Sequence, residues 1–344
     1  MSQPTEQSPD RPAARAIPTS ADVARLAGVS RATVSYVLNN TAAVRISEPT
    51  RRRVREAAEE LGYVPHAAAR SLRAGHSRMV LLPTAPVPVG PLYSQFLNDF
   101  QWALRRLDYT VVQYGSVGLQ AEEAARAWAE LRPVAVVSLG EAELTAQGVE
   151  ILKRSGARAV ITLGTQRVEG THALVMDQGR VGEVATAHLV ETGRRRIGVV
   201  VPEEPGLDMF AGPRLAGARR AAEGTGATVV PLPLRYDEES ARALAARWRA
   251  EGLDAVFAYN DEYAMLLMRA LQDEGISVPG ETAVVGADDL LLGRLLRPRL
   301  STVAIDMVLG RELAELVDRA VREPEAPPVA RSLLDSRVVR RESS

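Results

Sequence analysis

From Met79 onward the chain repeats one arrangement, a short apolar run followed by an amphipathic stretch. The runs MVLLP, YTVVQYG, PVAVVSL and ARAVITLG are separated by helix-patterned segments near Tyr93 to Leu107, Ala121 to Leu131 and Leu144 to Ser155. A second series opens with RRIGVVVP at 195–202 and runs through a helix near Leu215 to Glu223, ATVVPLPL, a helix near Glu238 to Glu251, LDAVFAYN, a helix near Glu262 to Glu274, and TAVVGADD. Strands that alternate with helices pair in parallel, because each helix returns the chain to the same end of the sheet. Two such series predict two doubly wound α/β lobes enclosing a cleft.

The 344 residues exceed what one core usually organises, and 46% hydrophobic with 25% charged residues is the balance of a globular protein with sizeable cores. No run of eighteen apolar residues occurs, and the first twenty residues are polar and Pro-rich without the apolar stretch of a secretory signal, so a cytoplasmic location is expected. The absence of cysteine excludes disulfides, thiolate zinc sites and thiol catalysis; His66, His76, His172 and His188 lack ligand-like spacing, so neither metal nor cofactor is expected. The stretch GTQRVEG lacks the G-x-G-x-x-G spacing, and neither a P-loop nor a G-x-S-x-G elbow occurs, which argues against an enzyme.

The net charge of -1 hides an asymmetry: residues 1–75 hold 11 Arg and no Lys against 7 acidic residues, an excess of four positive charges. Residues 1–18 have no apolar periodicity and read as a disordered tail. From Thr19 to Gly62 apolar residues recur at helical spacing in three groups, Val23/Leu26/Ala27, Val34/Val37/Leu38 and Val54/Ala57/Ala58/Leu61, a three-helix unit. Within it, Ser20 to Asn39 has the build of a helix-turn-helix. Thr19 can cap the first helix with Asp22 three residues on, Ala24 is small where a second helix crosses, and Gly28 permits a tight turn. Ser30 then caps a second helix anchored by Val34, Val37 and Leu38, which leaves Arg31, Ala32, Thr33, Ser35 and Tyr36 toward solvent. Arg31 suits a bidentate contact to guanine, and the hydroxyls of Thr33 and Ser35 suit phosphates. A three-helix bundle with a surface arginine is the competing reading. Residues 65–73, followed by Gly75, form a short helix-capable linker.

The segment TSADVARLAGVSRATVSYVLN resembles the headpiece of the LacI/GalR family of bacterial transcriptional regulators, whose pattern is D-V-A-x-x-A-G-V-S-x-x-T-V-S-x-V-L-N. The resemblance continues through ISEPTRRRVREAAEELGYVPHAAARSL, with its Gly-Tyr-x-Pro junction, and more loosely to the C-terminus. It implies a headpiece at 19–64, a hinge helix at 65–75, and a periplasmic-binding-protein-like sensor of two lobes, 76–193 with 303–325 and 194–302 with 326–341. The chain would then pass between lobes near 193, 302 and 326. Further DNA contacts are implied at Thr19, Ser20, Asn39, Tyr63, His66, Ala69, Leu72 and Arg73. Leu72 is the minor-groove wedge, unless it is a linker leucine packed on the core. Many members have Arg where this chain has Tyr36, so base reading differs there. The implied partners are a second copy of the chain, pseudo-palindromic operator DNA and a small effector; the ending at Ser344 without leucine heptads points to a dimer.

For the effector, RLAG at 214–217 offers Arg214, AYND at 258–261 offers Asn260 and Asp261, and VVGADD at 284–289 offers Asp288. Carboxylates facing hydroxyls, balanced by an arginine, suit a sugar or related polyol. Asp261 is equally readable as a helix N-cap, and Asp288 as turn chemistry. Tyr93 stands where the family has a pocket aromatic, and Asp177 is expected to be structural or hinge-related. Gly164 and Thr165 occupy the place where some sugar-binding members carry an acid. Lobes that serve only as a dimerisation scaffold are the alternative.

Overall fold

The computed structural model describes residues 17–38, 45–64, 77–84, 90–115, 118–139, 144–164, 167–307, 310–332 and 334–344. The chain divides into two compact units, Met1–Ser77 and Arg78–Ser344.

The first unit contains α1 (Ser20–Ala27), α2 (Arg31–Leu38) and α3 (Glu48–Leu61). At the start of α1 the Asp22 carboxylate reaches back to accept from the Thr19 backbone N–H at 2.9 Å and from its hydroxyl at 2.7 Å. Gly28 ends α1 with φ +65°, and Ser30 Oγ accepts from the Thr33 N–H at 3.1 Å to start α2. Val23, Ala24, Ala27, Val34, Val37, Val54, Ala57 and Ala58 form the core. With so few and such small side chains, each one is a large share of what holds this unit together.

The second unit holds β1 (Met79–Thr84), α4 (Pro91–Arg106), β2 (Thr110–Gly115), α5 (Ala121–Glu130), β3 (Ala135–Leu139), α6 (Ala146–Arg154), β4 (Ala159–Gly164), β5 (His172–Val175) and α7 (Gln178–Glu191). It continues with β6 (Arg196–Pro202), α8 (Asp208–Ala222), β7 (Thr228–Leu234), α9 (Glu238–Ala246), the single turn α10 (Trp248–Glu251), β8 (Ala255–Phe257), α11 (Asp261–Asp273) and β9 (Ala283–Ala287). A 3-10 turn at Leu291–Arg294, β10 (Ser301–Met307), α12 (Gly310–Arg322), β11 (Ala330–Ser332) and β12 (Leu334–Val339) complete it. The first sheet has the order β11-β5-β4-β3-β1-β2 and is parallel throughout. The second has the order β12-β10-β9-β8-β6-β7, in which only the edge strand β12 is antiparallel.

The inner strands β1, β4, β6, β8 and β9 are covered on both faces, which is why they read as unbroken apolar runs rather than alternating ones. In β1, Val80 and Leu82 pack with Phe96, Phe100, Leu313 and Val317, while Leu81 packs on the opposite face with Trp128 and Leu152. In the second lobe, Ile197, Phe257 and Val285 meet α7 and α8, while Val200, Val256 and Val284 meet Trp248, Leu267 and Leu271.

The three passages between lobes correct the expected boundaries. The first follows Val175 rather than lying near 193, because α7 packs through Val181, Ala185 and Leu189 onto the second sheet. The second follows Met307 rather than lying near 302, since β10 pairs with β9 and β12. The third falls between β11, paired with β5, and β12, paired with β10, rather than near 326. Helix α8 begins at Asp208, earlier than Leu215, and carries Pro213 within it. No described helix is long and apolar enough to cross a membrane.

Candidate functional site

On α2 the apolar side is consumed by the core, with Val34 and Val37 1% and 2% exposed. The opposite side presents Arg31, Ala32 and Tyr36, while Thr33 and Ser35 are half-buried. Arg31 has no carboxylate partner among the described residues, whereas Arg25 is paired with Asp22 and Arg55 with Glu48 at 3.7 Å. An unpaired guanidinium at the start of a short exposed helix is available to an incoming acceptor. Thr33 is less free than expected, since its hydroxyl shares a hydrogen bond of 2.9 Å with Ser30. Tyr63 packs against the helical core, and its N–H donates to the Ala58 carbonyl at 2.8 Å. Asn39, His66, Ala69, Leu72 and Arg73 lie outside the described residues.

In the second unit, polar residues converge where β8 and β9 end. Arg214, on α8, is 6% exposed. Its Nε donates to Gln178 Oε1 at 2.9 Å and its Nη1 to the Tyr259 carbonyl at 2.7 Å, with its guanidinium 4.7 Å from the Tyr259 ring centroid. The fork is thereby fixed before any ligand arrives. The backbone around it is unusual: Tyr259, Asp288 and Asp289 have φ of 55°, 100° and 50°, a region L-residues with side chains enter only at a cost.

The carboxyls here oppose one another. Burial raises Asp288 above the ordinary carboxylate range, and the Arg214 charge pulls it back. Glu262 is raised by burial and then by Asp288, with a hydrogen bond from Asn260 acting against both. Asp261 is pushed up to about 7, chiefly by burial, against hydrogen bonds from Thr302 and Leu290, with Asp288 and Asp289 adding to the rise. Several acceptors around one arginine form an environment completed by hydroxyl donors.

Of the expected effector residues, Arg214, Asn260 and Asp288 are brought together. Asn260, rather than Asp261, is the N-cap of α11, accepting from the Tyr263 N–H at 3.0 Å. Asp261 corrects the expectation of a direct contact: it is 0% exposed, accepting from Thr302 Oγ1 at 2.6 Å and the Leu290 N–H at 2.7 Å. Its role is to tie α11 to β10 and to the turn carrying Asp288. Tyr93 lies in the first turn of α4 with its phenol raised to about 12 by burial. That helix start abuts the other lobe, since Leu92 joins its core and a Cβ on Gly90 would lie 3.6 Å from Glu262 Oε2. Asp177 caps α7, accepting from the Arg180 N–H at 3.1 Å at the first passage between lobes. Gly164 ends β4, and Thr165 lies outside the described residues.

Sequence reasoning missed Gln178, Tyr259, Glu262 and Glu204. Tyr259 stands beside the recognised Asn260, and Glu204 accepts from the hydroxyl of Tyr263, whose ring meets Tyr259 edge-on at 5.5 Å. Glu262 follows the recognised Asp261, and Glu203 with Glu204 form two consecutive acids after a strand.

A helix-turn-helix unit followed by two parallel-sheet lobes with three passages defines the class of DNA-binding regulators that carry a periplasmic-binding-protein-like sensor. Residues 19–66 match the model for bacterial regulatory proteins of the lacI family, and residues 186–344 match that for a periplasmic binding protein-like domain. The chain is 30% identical to the HTH-type transcriptional regulator GalR of Escherichia coli (strain K12), covering 94% of each protein. It is 32% identical to the HTH-type transcriptional regulator CelR of Thermobifida fusca, over 95% of this chain and 98% of that one. Among solved structures it is similar to a transcriptional regulator CelR–cellobiose complex, with 28% identity, TM-score 0.62, and coverage of 95% of this chain and 100% of that chain. The lac repressor dimer bound to operator and the anti-inducer ONPF shares the fold at TM-score 0.75 and 24% identity, over 94% and 98% of the two chains. The chain belongs to the lacI family of bacterial regulatory proteins, and it is a DNA-binding regulator of transcription.

Proposed function

We propose that the protein is a cytoplasmic, non-enzymatic repressor that grips a pseudo-palindromic operator as a dimer and changes its grip when a sugar or related polyol enters between the lobes. Arg31 reads a base edge in the major groove, with Ala32, Ser35 and Tyr36 beside it. Thr19, Ser20 and Ser30 at the helix starts, with Thr33, Asn39, Tyr63, His66 and Arg73, set position on the backbone. Ala69 and Leu72 enter the minor groove, and the leucine opens a base step. Arg214 and Asp288 bind ligand hydroxyls, Asn260 orients them, and Tyr93 contributes an apolar face from the other lobe.

The observation that carries the reading is the prefixed Arg214 fork facing Asp288 on a strained turn. Backbone held at such cost marks sites where geometry matters to function. The relatives support the ligand class, since one solved relative holds cellobiose. The test is to enrich fragments of the source genome on purified protein, then challenge the complex with a panel of mono- and disaccharides. Enrichment of one pseudo-palindrome over random DNA, and its release or tightening by one sugar, is expected. Absence of enrichment defeats the regulator reading, whereas enrichment indifferent to every sugar reduces the lobes to a dimerisation scaffold. Asp288→Asn should retain operator binding and lose the sugar response.

A further inference from the structure

One residue beyond Asp288, the chain enters a basic feature that the sugar site does not use. A cavity of about 450 Å³ is lined by Arg294, Arg299, Arg340, Arg341 and Glu342. Asp289 accepts from Arg294 at 2.8 Å and also pairs with Arg341. Glu342 accepts from the Arg299 backbone N–H at 2.8 Å, while its carboxylate stands 3.7 Å from the Arg299 guanidinium. Among the described residues Arg340 has no ion pair and is exposed. Four guanidiniums therefore face two carboxylates, an excess of two positive charges in a concave space. The Arg341 side chain is only 13% exposed and is fixed by the Leu300 carbonyl at 2.7 Å, so the floor of the cavity is rigid.

We propose that this cavity binds a phosphate dianion, either free hydrogen phosphate or the phosphomonoester of a phosphorylated metabolite, and that occupancy is felt at the sensor site through Asp289. Guanidinium forks match the tetrahedral oxygens of phosphate, and two unneutralised charges match a dianion. The route to the sensor site is short. Asp289 follows Asp288 directly, its N–H points to Thr302 Oγ1 at 3.4 Å, and that hydroxyl donates to Asp261. A phosphate that draws Arg294 away from Asp289 removes one of the two arginine pairings of that carboxylate, on the turn that presents Asp288 to ligand.

The experiment is calorimetric titration of the full-length protein with inorganic phosphate, against sodium chloride at equal ionic strength. One saturable site per chain is expected with phosphate and none with chloride. An Arg299→Ala/Arg340→Ala double variant should bind at least tenfold more weakly, and Glu342→Gln more tightly, with unchanged melting curves certifying the fold. Equal heats with both salts, or wild-type phosphate affinity in the double variant, would overturn the site. Glycerol phosphate binding more tightly than phosphate assigns the pocket to a metabolite; equal binding assigns it to free phosphate, and both outcomes support the site. Hydrogen exchange at the 288–290 amides should change on saturation with phosphate, and an unchanged rate there would overturn the coupling. Neither readout involves DNA, so failure here leaves the operator reading standing.

Discussion

Asp261 shows how one carboxyl can be both indispensable and costly. It has no exposed surface and two hydrogen bonds, yet its proton affinity is raised from 3.8 to about 7. Between those values the folded protein keeps a proton that the unfolded chain releases, so this group weakens folding as pH rises from about 4 to about 7. Asp261→Asn removes the titration while keeping one acceptor. Urea unfolding of both proteins across that range should show the wild type losing a few kcal/mol relative to the variant as pH rises; parallel curves would mean the carboxyl does not titrate there. In the other unit, Arg31 has no carboxylate partner among the described residues. Arg31→Ala should lower operator affinity about 10- to 100-fold and random-duplex affinity far less, measured by anisotropy at fixed salt. Equal losses on both DNAs would remove it from base reading.

At the scale of elements, the joint between α7 and α8 sets where Arg214 stands. A Cβ on Gly182 would collide with the Arg214 carbonyl, and one on Gly217 with the Gly179 carbonyl, so the two helix backbones touch. Gly217→Ala should destabilise the sensor unit by roughly 1–3 kcal/mol and weaken sugar binding as well, measured by thermal melts and titration. A fully stable variant with normal sugar affinity would show that the joint is loose. This joint was also the least legible part of the sequence. Helix α7 is buried at Gln178, Gly179, Val181, Gly182, Ala185, Thr186, His188 and Leu189, so it lacks an amphipathic stripe, and its glycines mimic a turn. By contrast, the capped helices α1 and α2 and the strands β1, β3, β4 and β6 follow directly from local spacing. The lobe boundaries could not be read that way, because a strand such as β10 has the same composition whichever sheet its hydrogen bonds complete. Tyr259 was hidden for a similar reason: what qualifies it is a backbone angle and an arginine 45 positions away.

For the whole molecule, ligand and operator must influence each other by the same factor, since each acts only by preferring one arrangement. The sugar that shifts operator affinity should itself have its Kd shifted equally by saturating operator duplex, and unequal factors would mean that a third species takes part. The passages of the chain between lobes carry a separate consequence. Strand β11 borders one sheet and β12 the other, although they are neighbours at the very end of the fold. During synthesis neither lobe can close its sheet until that last segment has left the ribosome, so the sensor matures as one piece. A chain stopped short of Ala330 would lack an outer strand on both sheets at once, exposing two raw borders to aggregation rather than leaving one finished lobe behind.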